Sequence, residues 1–241
     1  MKKRYVLIVA GGKGLRMGNE LPKQFMPIRK RPILMFALDC FHEWGGGEII
    51  IVLPKEYVNY WKWLCRRYSC AIPHRVVEGG ETRFDSVRNG LTAISKPGAG
   101  LQGLVAVHDG VRPFVPKPLI EACFIAAEHY GAVVPVIPMS DSIREAESGG
   151  WPENRVDYMY IKSHAVRRHR YVSVQTPQVF KLDLLQEAYG QPYSQDFTDD
   201  ASVVEAMGFE VRTIAGSRDN IKITDPFDLH VAEAWLTNSW L

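Results

Sequence analysis

His108-Asp109-Gly110-Val111-Arg112-Pro113 sets a carboxylate and a guanidinium three residues apart, directly behind the apolar run Leu104-Val105-Ala106-Val107. An aspartate there can cap the turn that follows, or, beside a polyphosphate, it can serve as a Mg²⁺ ligand. Arg112 is then either an anion clamp or half of a surface ion pair. A second cluster lies near the start, where Val9-Ala10-Gly11-Gly12-Lys13-Gly14-Leu15-Arg16-Met17-Gly18 follows the apolar run Tyr5-Val6-Leu7-Ile8. Glycines allow close approach of a ligand to the backbone amides, and Lys13, Arg16 and Lys23 add positive charge, a combination that suits phosphate. The loop is neither familiar glycine motif: Met17 stands where G-x-G-x-x-G needs glycine, and Gly14 where a P-loop needs Ser or Thr. Lys13 reads equally as a solvated surface charge, whereas the glycine framing favours Arg16 and Lys23 as the fixed cations that phosphoryl transfer requires.

Glu78-Gly79-Gly80-Glu81-Thr82-Arg83-Phe84-Asp85-Ser86 reads as a glycine turn entering a helix, whose free amides could meet a base or a phosphate. Ser86 is either a ligand contact or a partner for nearby backbone. In Asp219-Asn220-Ile221-Lys222-Ile223-Thr224-Asp225-Pro226 a short strand meets a helix start, with Thr224 or Asp225 as N-cap. Lys222 alternates with two isoleucines, so its side chain points opposite to them. The seven histidines show no metal-ligand spacing, and no G-x-S-x-G or Cys/His arrangement points to covalent catalysis.

Strand-length apolar runs alternate with helix-patterned segments: strands over 5–10, 48–53, 75–77, 104–108 and 132–137, and helices over 32–44, 56–67, 83–94 and 117–130. Near-continuous Val/Ile/Leu runs mark strands buried on both faces, hence an α/β, three-layer, doubly wound, mostly parallel sheet. Ligands bind such sheets beyond the carboxyl ends of the strands, where the loops 11–16, 78–82 and 109–112 combine glycine with charge. From 138 to 171 the alternation fails, and a polar segment with strand-like pieces such as 155–161 reads as a protruding β-arm. Trp151, Tyr158, Tyr160 and Ile161 on a lone hairpin would seek a second subunit. Helices over 181–189 and 199–207, a strand over 209–215 and a final helix from Asp225 complete residues 1–241 as one domain plus the arm.

With 241 residues and 46% hydrophobic content the chain can bury a sizeable core. Its 29 basic and 27 acidic residues leave a net charge of +2, so no global field recruits nucleic acid or an anionic membrane. Cys40, Cys65, Cys70 and Cys123 form no C-x-x-C pair and read as reduced packing residues of a cytoplasmic protein. The apolar run after Met1-Lys2-Lys3-Arg4 breaks at Gly11-Gly12, too soon for a signal peptide or a transmembrane span.

The segments AGGKGLRMG, LPKQF, GGETRFDSV, HDGVRPF, VQTPQVF, TDDASVVE and DNIKITDPFDL, in this order along the chain, resemble the nucleotidyltransferases of glycosyltransferase-A-like, nucleotide-diphospho-sugar transferase-like fold. Within that class the sequence is similar to the 2-C-methyl-D-erythritol 4-phosphate cytidylyltransferase family of the non-mevalonate isoprenoid pathway. The resemblance implies transfer of CMP from CTP to methylerythritol 4-phosphate, dependent on Mg²⁺ or another hard divalent cation, with release of pyrophosphate. It implies transition-state charge stabilisation by Arg16 and Lys23, and Mg²⁺ on Asp109 with Asp219 as second carboxylate. The CTP pocket would comprise Ala10, Gly11, Gly12, Gly14, Gly79, Gly80, Glu81, Thr82, Ser86, Asp109 and Gly110. Arg112, Ser142, Arg168, Thr176 and Lys222 would place the sugar phosphate, Arg168 and Lys222 for attack. The 138–171 arm would hook a neighbouring subunit in an obligate homodimer. Two departures stand out: residues 151–163 lengthen the arm, and Arg167, Arg168 and Arg170 compete for one role. Gly110-Val111 also replaces a frequent alanine pair, a change that small residues are expected to tolerate. A ribitol 5-phosphate cytidylyltransferase shares several of these motifs, and a non-catalytic nucleotide-binding protein could keep the pocket. Arg83-Phe84-Asp85-Ser86-Val87 and Thr198-Asp199-Asp200-Ala201 favour the methylerythritol enzyme over the first, and the retained Arg16, Lys23, Asp109 and Lys222 count against the second.

Overall fold

A computed structural model describes residues 2–12, 21–95, 102–147 and 161–238. Arg16, Gly14 and Lys13 lie outside the described residues, as do Trp151, Tyr158, Tyr160 and most of the strand expected over 155–161.

In chain order the strands are β1 (Lys3–Val9), β2 (Pro27–Ile28), β3 (Arg31–Pro32), β4 (Glu48–Leu53), β5 (Arg75–Glu78), β6 (Gly103–Asp109), β7 (Ala132–Pro138), β8 (Arg144–Ala146), β9 (Ser163–Ala165), β10 (Val172–Val174), β11 (Gln178–Lys181) and β12 (Arg212–Ala215). The helices are α1 (Ile33–Trp44), α2 (Lys55–Arg67), α3 (Arg83–Ile94), α4 (Lys117–Tyr130), α5 (Leu182–Ala188), α6 (Asp200–Glu205) and α7 (Pro226–Asn238). The main sheet runs β10-β7-β11-β6-β1-β4-β5, with β12 also pairing β7.

Alternation along buried strands feeds two cores. Val6 and Ile8 of β1 point with Ile49, Ile51, Leu104 and Ala106 toward α1, α2 and α4. Tyr5, Leu7 and Val9 point with Ile50, Val105 and Val107 toward α3, α5 and α6. These are the two outer layers that the continuous apolar runs require. Proline stands immediately before α1, α2 and α4, where its fixed φ suits the approach to a first turn. The helices next to the site instead carry capping boxes, Thr82 with Asp85 on α3 and Asp199 with Ser202 on α6. Asp225 caps α7 by accepting from the Phe227 amide at 2.9 Å, with Pro226 as the first helical residue.

Two features differ from the sequence-based expectation. Residues 219–225 form no strand, because Ile223 donates singly to the Val111 carbonyl at 2.9 Å and has no ladder to join. More consequentially, β11 enters antiparallel between β6 and β7, pairing Gln178 with Val107 and Val179 with Val133. An antiparallel insertion reverses the chain, so the residues just before β11 arrive at the carboxyl end of β6, beside Asp109. The arm keeps one short hairpin among the described residues, β8 against β9.

Candidate active site

The carboxyl ends of β1 and β6 and the first turn of α3 enclose a cavity of about 230 Å³. It is lined by Ala10, Gly11, Gly12, Lys23, Gly80, Glu81, Thr82, Ser86, Asp109 and Lys222 from the expected set, together with Val9, Gln24, Arg83 and Val111, which sequence reasoning did not single out. A second cavity of about 310 Å³ shares Arg83, Asp109 and Lys222 with the first and adds Arg112, Val174, Gln175, Thr176, Gln178, Thr198 and Asp199. Two adjoining depressions with a common charged wall suit two substrates that must meet.

Each wall has a local cause. Leu21-Pro22-Lys23-Gln24-Phe25 forms one 3₁₀ turn over Lys23–Phe25. Phe25 is buried, and Gln24 donates through Nε2 to the Ala10 carbonyl at 2.7 Å, which pins Lys23 beside the end of β1. A Cβ on Gly12 would stand 3.6 Å from Lys23 Cε, so the lysine stem lies along the glycine backbone. Ser86 proves to be a backbone partner within the α3 turn: it donates to the Thr82 carbonyl at 2.9 Å and accepts from the Gly80 amide at 3.1 Å. That fixes the glycine turn against the helix. Gly79 and Gly110 lie just outside the cavity lining. A Cβ at Gly110 would meet Ala10 Cβ at 2.9 Å and Leu34 Cδ1 at 2.8 Å, so this packing suits glycine and crowds even alanine.

Asp109, at the end of β6, faces three cations: Lys222 Nζ at 2.9 Å, Arg112 Nε at 3.7 Å and Arg83 Nη2 at 3.8 Å. Burial by itself would raise its pKa, but Arg83, Lys222 and Arg112 outweigh it and hold the carboxyl well below the usual range. Arg83 is itself gripped by Asp200, a fully buried carboxylate that accepts from Nη1 at 3.0 Å and Nη2 at 2.6 Å, and from the Tyr189 hydroxyl at 2.6 Å. Arg112 turns inward: Nη1 donates to the Asn220 carbonyl at 2.8 Å and Nη2 to that of Val174 at 3.5 Å. Burial lowers its pKa, with Asp109 offsetting part of the effect. The arginine expected as a free clamp therefore serves first to hold the loop that carries Lys222.

Not every expected residue arrives. Asp219, expected as the second carboxylate, is exposed and lines a groove with Phe36, Asp39, Glu43 and Trp235 and neither of the two cavities. Arg168 and Ser142 lie exposed on the arm, where Arg168 Nη1 donates to the Ser140 carbonyl, and they line neither cavity. Gln24 and Arg83 were missed because their partners, Ala10 and Asp200, lie far off in sequence, though both residues belong to the quoted motifs.

Among the described residues no group of three His, Cys, Asp or Glu side chains could hold a metal by itself. The ionised Asp109 fits the mode in which Mg²⁺ takes one carboxylate and completes its shell with phosphate oxygens and water.

A doubly wound sheet with a glycine-lined cavity and a cationic cluster at its carboxyl edge defines an α/β enzyme of the nucleotidyltransferase class. A profile described as "IspD: 2-C-methyl-D-erythritol 4-phosphate cytidylyltransferase" matches residues 5–238. The chain belongs to that family. It is 48% identical to the protein of that name from Bacteroides thetaiotaomicron, over 97% of this chain and 100% of the relative, and 50% identical to that of Bacteroides fragilis, over 97% and 99%. Among solved structures it is similar to 4-diphosphocytidyl-2C-methyl-D-erythritol synthase from Anaerococcus prevotii, with TM-score 0.77, 28% identity and coverage of 98% of this chain and 97% of that one. The corresponding cytidylyltransferase from Thermus thermophilus gives TM-score 0.70 at 31% identity, covering 98% and 100%.

Proposed function

We propose that this protein transfers CMP from CTP to 2-C-methyl-D-erythritol 4-phosphate. A phosphate oxygen of the sugar phosphate attacks the α-phosphorus of CTP, the bond from that phosphorus to the bridging oxygen breaks, and pyrophosphate leaves. The observation that carries this reading is the Lys222–Asp109 pair on the wall common to both cavities, in a chain of this family.

The first cavity receives the nucleotide on the backbone of Ala10, Gly11, Gly12 and Gly80–Thr82, with Lys23 beside the phosphates. Lys23 supplies fixed positive charge where negative charge grows in the transition state, and Arg16 shares that role. The sugar phosphate enters the second cavity, where Lys222 and Thr176 border it. Bound Mg²⁺ would neutralise triphosphate charge, with Asp109 as its protein ligand.

The arm supports a homodimer. Strand β10 pairs β7 and no other strand among the described residues, and Tyr171, Val172, Val174 and Met139 are exposed around it. A partner covering this edge would bring Arg168 and Ser142 toward a site other than their own. Among the described residues no helix is long and apolar enough to cross a membrane; the reading is of a cytoplasmic enzyme whose cysteines are free thiols.

The test is pyrophosphate release with CTP and Mg²⁺, offering methylerythritol 4-phosphate and ribitol 5-phosphate separately. Turnover of the first alone is expected; turnover of the second alone would move the enzyme to another polyol, and silence from both would leave a binding protein.

A further inference from the structure

Asp109 and Lys222 meet although only the first is held by paired secondary structure, in register with Val9 of β1. Asp109 is the last residue of β6, and Lys222 sits on the irregular stretch between β12 and α7. A lysine stem with four rotatable carbons reaches many positions, so something must fix its backbone against the end of β6.

For the lysine loop the anchor is Asn220, which is fully buried. Its Nδ2 donates to the Thr176 carbonyl at 2.7 Å, and its own carbonyl accepts from Arg112 Nη1 at 2.8 Å and Gln175 Nε2 at 3.3 Å. On the aspartate side, the Asp109 amide donates to Thr176 Oγ1 at 3.0 Å. The same hydroxyl lies 3.1 Å from His108 Nδ1, and His108 Nε2 lies 3.0 Å from the Arg112 carbonyl.

These contacts assign every proton. A carbonyl only accepts, so Nε2 carries the hydrogen; in the neutral ring Nδ1 then has only a lone pair. The Thr176 hydroxyl must therefore donate to Nδ1, which leaves its oxygen to accept from the Asp109 amide. The ring is wholly buried, edge-on to Phe41 at 4.9 Å between centroids. Thr176 thus joins two clamps: its hydroxyl, oriented by His108, holds Asp109, and its carbonyl, held by Asn220, holds the stretch that carries Lys222.

We propose that His108 and Asn220 are positioning residues for nucleotidyl transfer, setting through Thr176 the placement of the Asp109 carboxylate against the Lys222 ammonium. Neither touches a reacting atom. The inference rests on the cytidylyl-transfer reading, so turnover by the unaltered enzyme is the control that separates the two.

The experiment is steady-state kinetics of the full chain with CTP, Mg²⁺ and methylerythritol 4-phosphate. His108→Leu removes the acceptor for the Thr176 hydroxyl, and Asn220→Asp replaces the donor to the Thr176 carbonyl with an acceptor. Each is expected to lower kcat by about 10- to 100-fold, the scale of an ångström misplacement, with KM for CTP changed less than about twofold. His108→Asn, whose amide oxygen can stand in for Nδ1, is expected to recover most of the loss. The double variant is expected to cost no more than the worse single one, because both act through Thr176. Unchanged kcat in both single variants, or full additivity, would overturn the proposal. If the variants fail to fold, nitrogen-15 NMR of the unaltered protein decides: a hydrogen on His108 Nε2 supports the relay, and one on Nδ1 refutes it.

Discussion

Lys222 Nζ stands 2.9 Å from Asp109 Oδ2, and both side chains line both cavities. One ion pair therefore forms the seam between the two depressions, where, on the proposed reading, the cytidylyl group passes from the nucleotide to the sugar phosphate. Arg83 and Arg112 add two further cations to the same carboxylate, so the seam is positive overall and suits anionic substrates.

Lys23 is held against the glycine backbone by the Phe25 and Gln24 anchors. Lys23→Ala is expected to lower kcat by about two to three orders of magnitude, the scale of deleting one donor aimed at a developing anion. Single-turnover kinetics at saturating CTP would measure it, and an unchanged rate would remove Lys23 from the chemistry.

The arm can be tested by subunit mixing. Arg168→Ala alone is expected to raise KM for the sugar phosphate. If Arg168 serves the partner's site, a mixed dimer of Arg168→Ala and Lys23→Ala subunits contains one intact site and one doubly damaged site. Recovery of activity on mixing two weak variants is the expected result, whereas its absence in verified mixed dimers would place Arg168 with its own subunit's site.

His108 gives the fold an acid-sensitive element. Burial pushes its pKa from 6.5 down to about 4. Between those values the unfolded chain binds a proton that the folded one refuses, so stability falls as pH drops from about 6.5 and levels off below about 4. The contribution between pH 7 and 5 is about 2 kcal/mol. Asp109 acts in a different window: its depressed pKa contributes stability above the unfolded value of about 3.9, lost only as pH falls through the lower folded one. Urea unfolding at pH 7 and pH 5 checks the first effect, and a His108→Leu chain with the same pH slope would disprove it.

Asp200 is buried, and three hydrogen bonds from Arg83 and Tyr189 end on it. Asp200→Ala strands the Tyr189 hydroxyl and frees a guanidinium that is 35% exposed and can partly rehydrate. The expected loss is about 1–3 kcal/mol, with weaker CTP binding because Arg83 opens α3 at the cavity wall. Denaturant unfolding alongside CTP titration measures both, and a change below about 0.5 kcal/mol would show that the pair is no anchor.

Much of this protein is settled locally along its chain. Continuous apolar runs demand strands buried on both faces, and proline, Thr82 and Asp199 mark where helices begin, because capping and periodicity act over a few residues. Lys23, Asp109 and Lys222 could be picked out for the same reason, each standing beside a turn or an apolar run that dictates its direction. Arg112 turning inward, Asp219 lining a separate groove, and the grip of Asp200 on Arg83 were not legible, because the partners are brought together only by the completed sheet. The decisive step is the antiparallel entry of β11 between β6 and β7, which carries Thr176 to Asp109. No local pattern encodes that order, since a short buried strand reads alike in either direction and only the completed pairing distinguishes them.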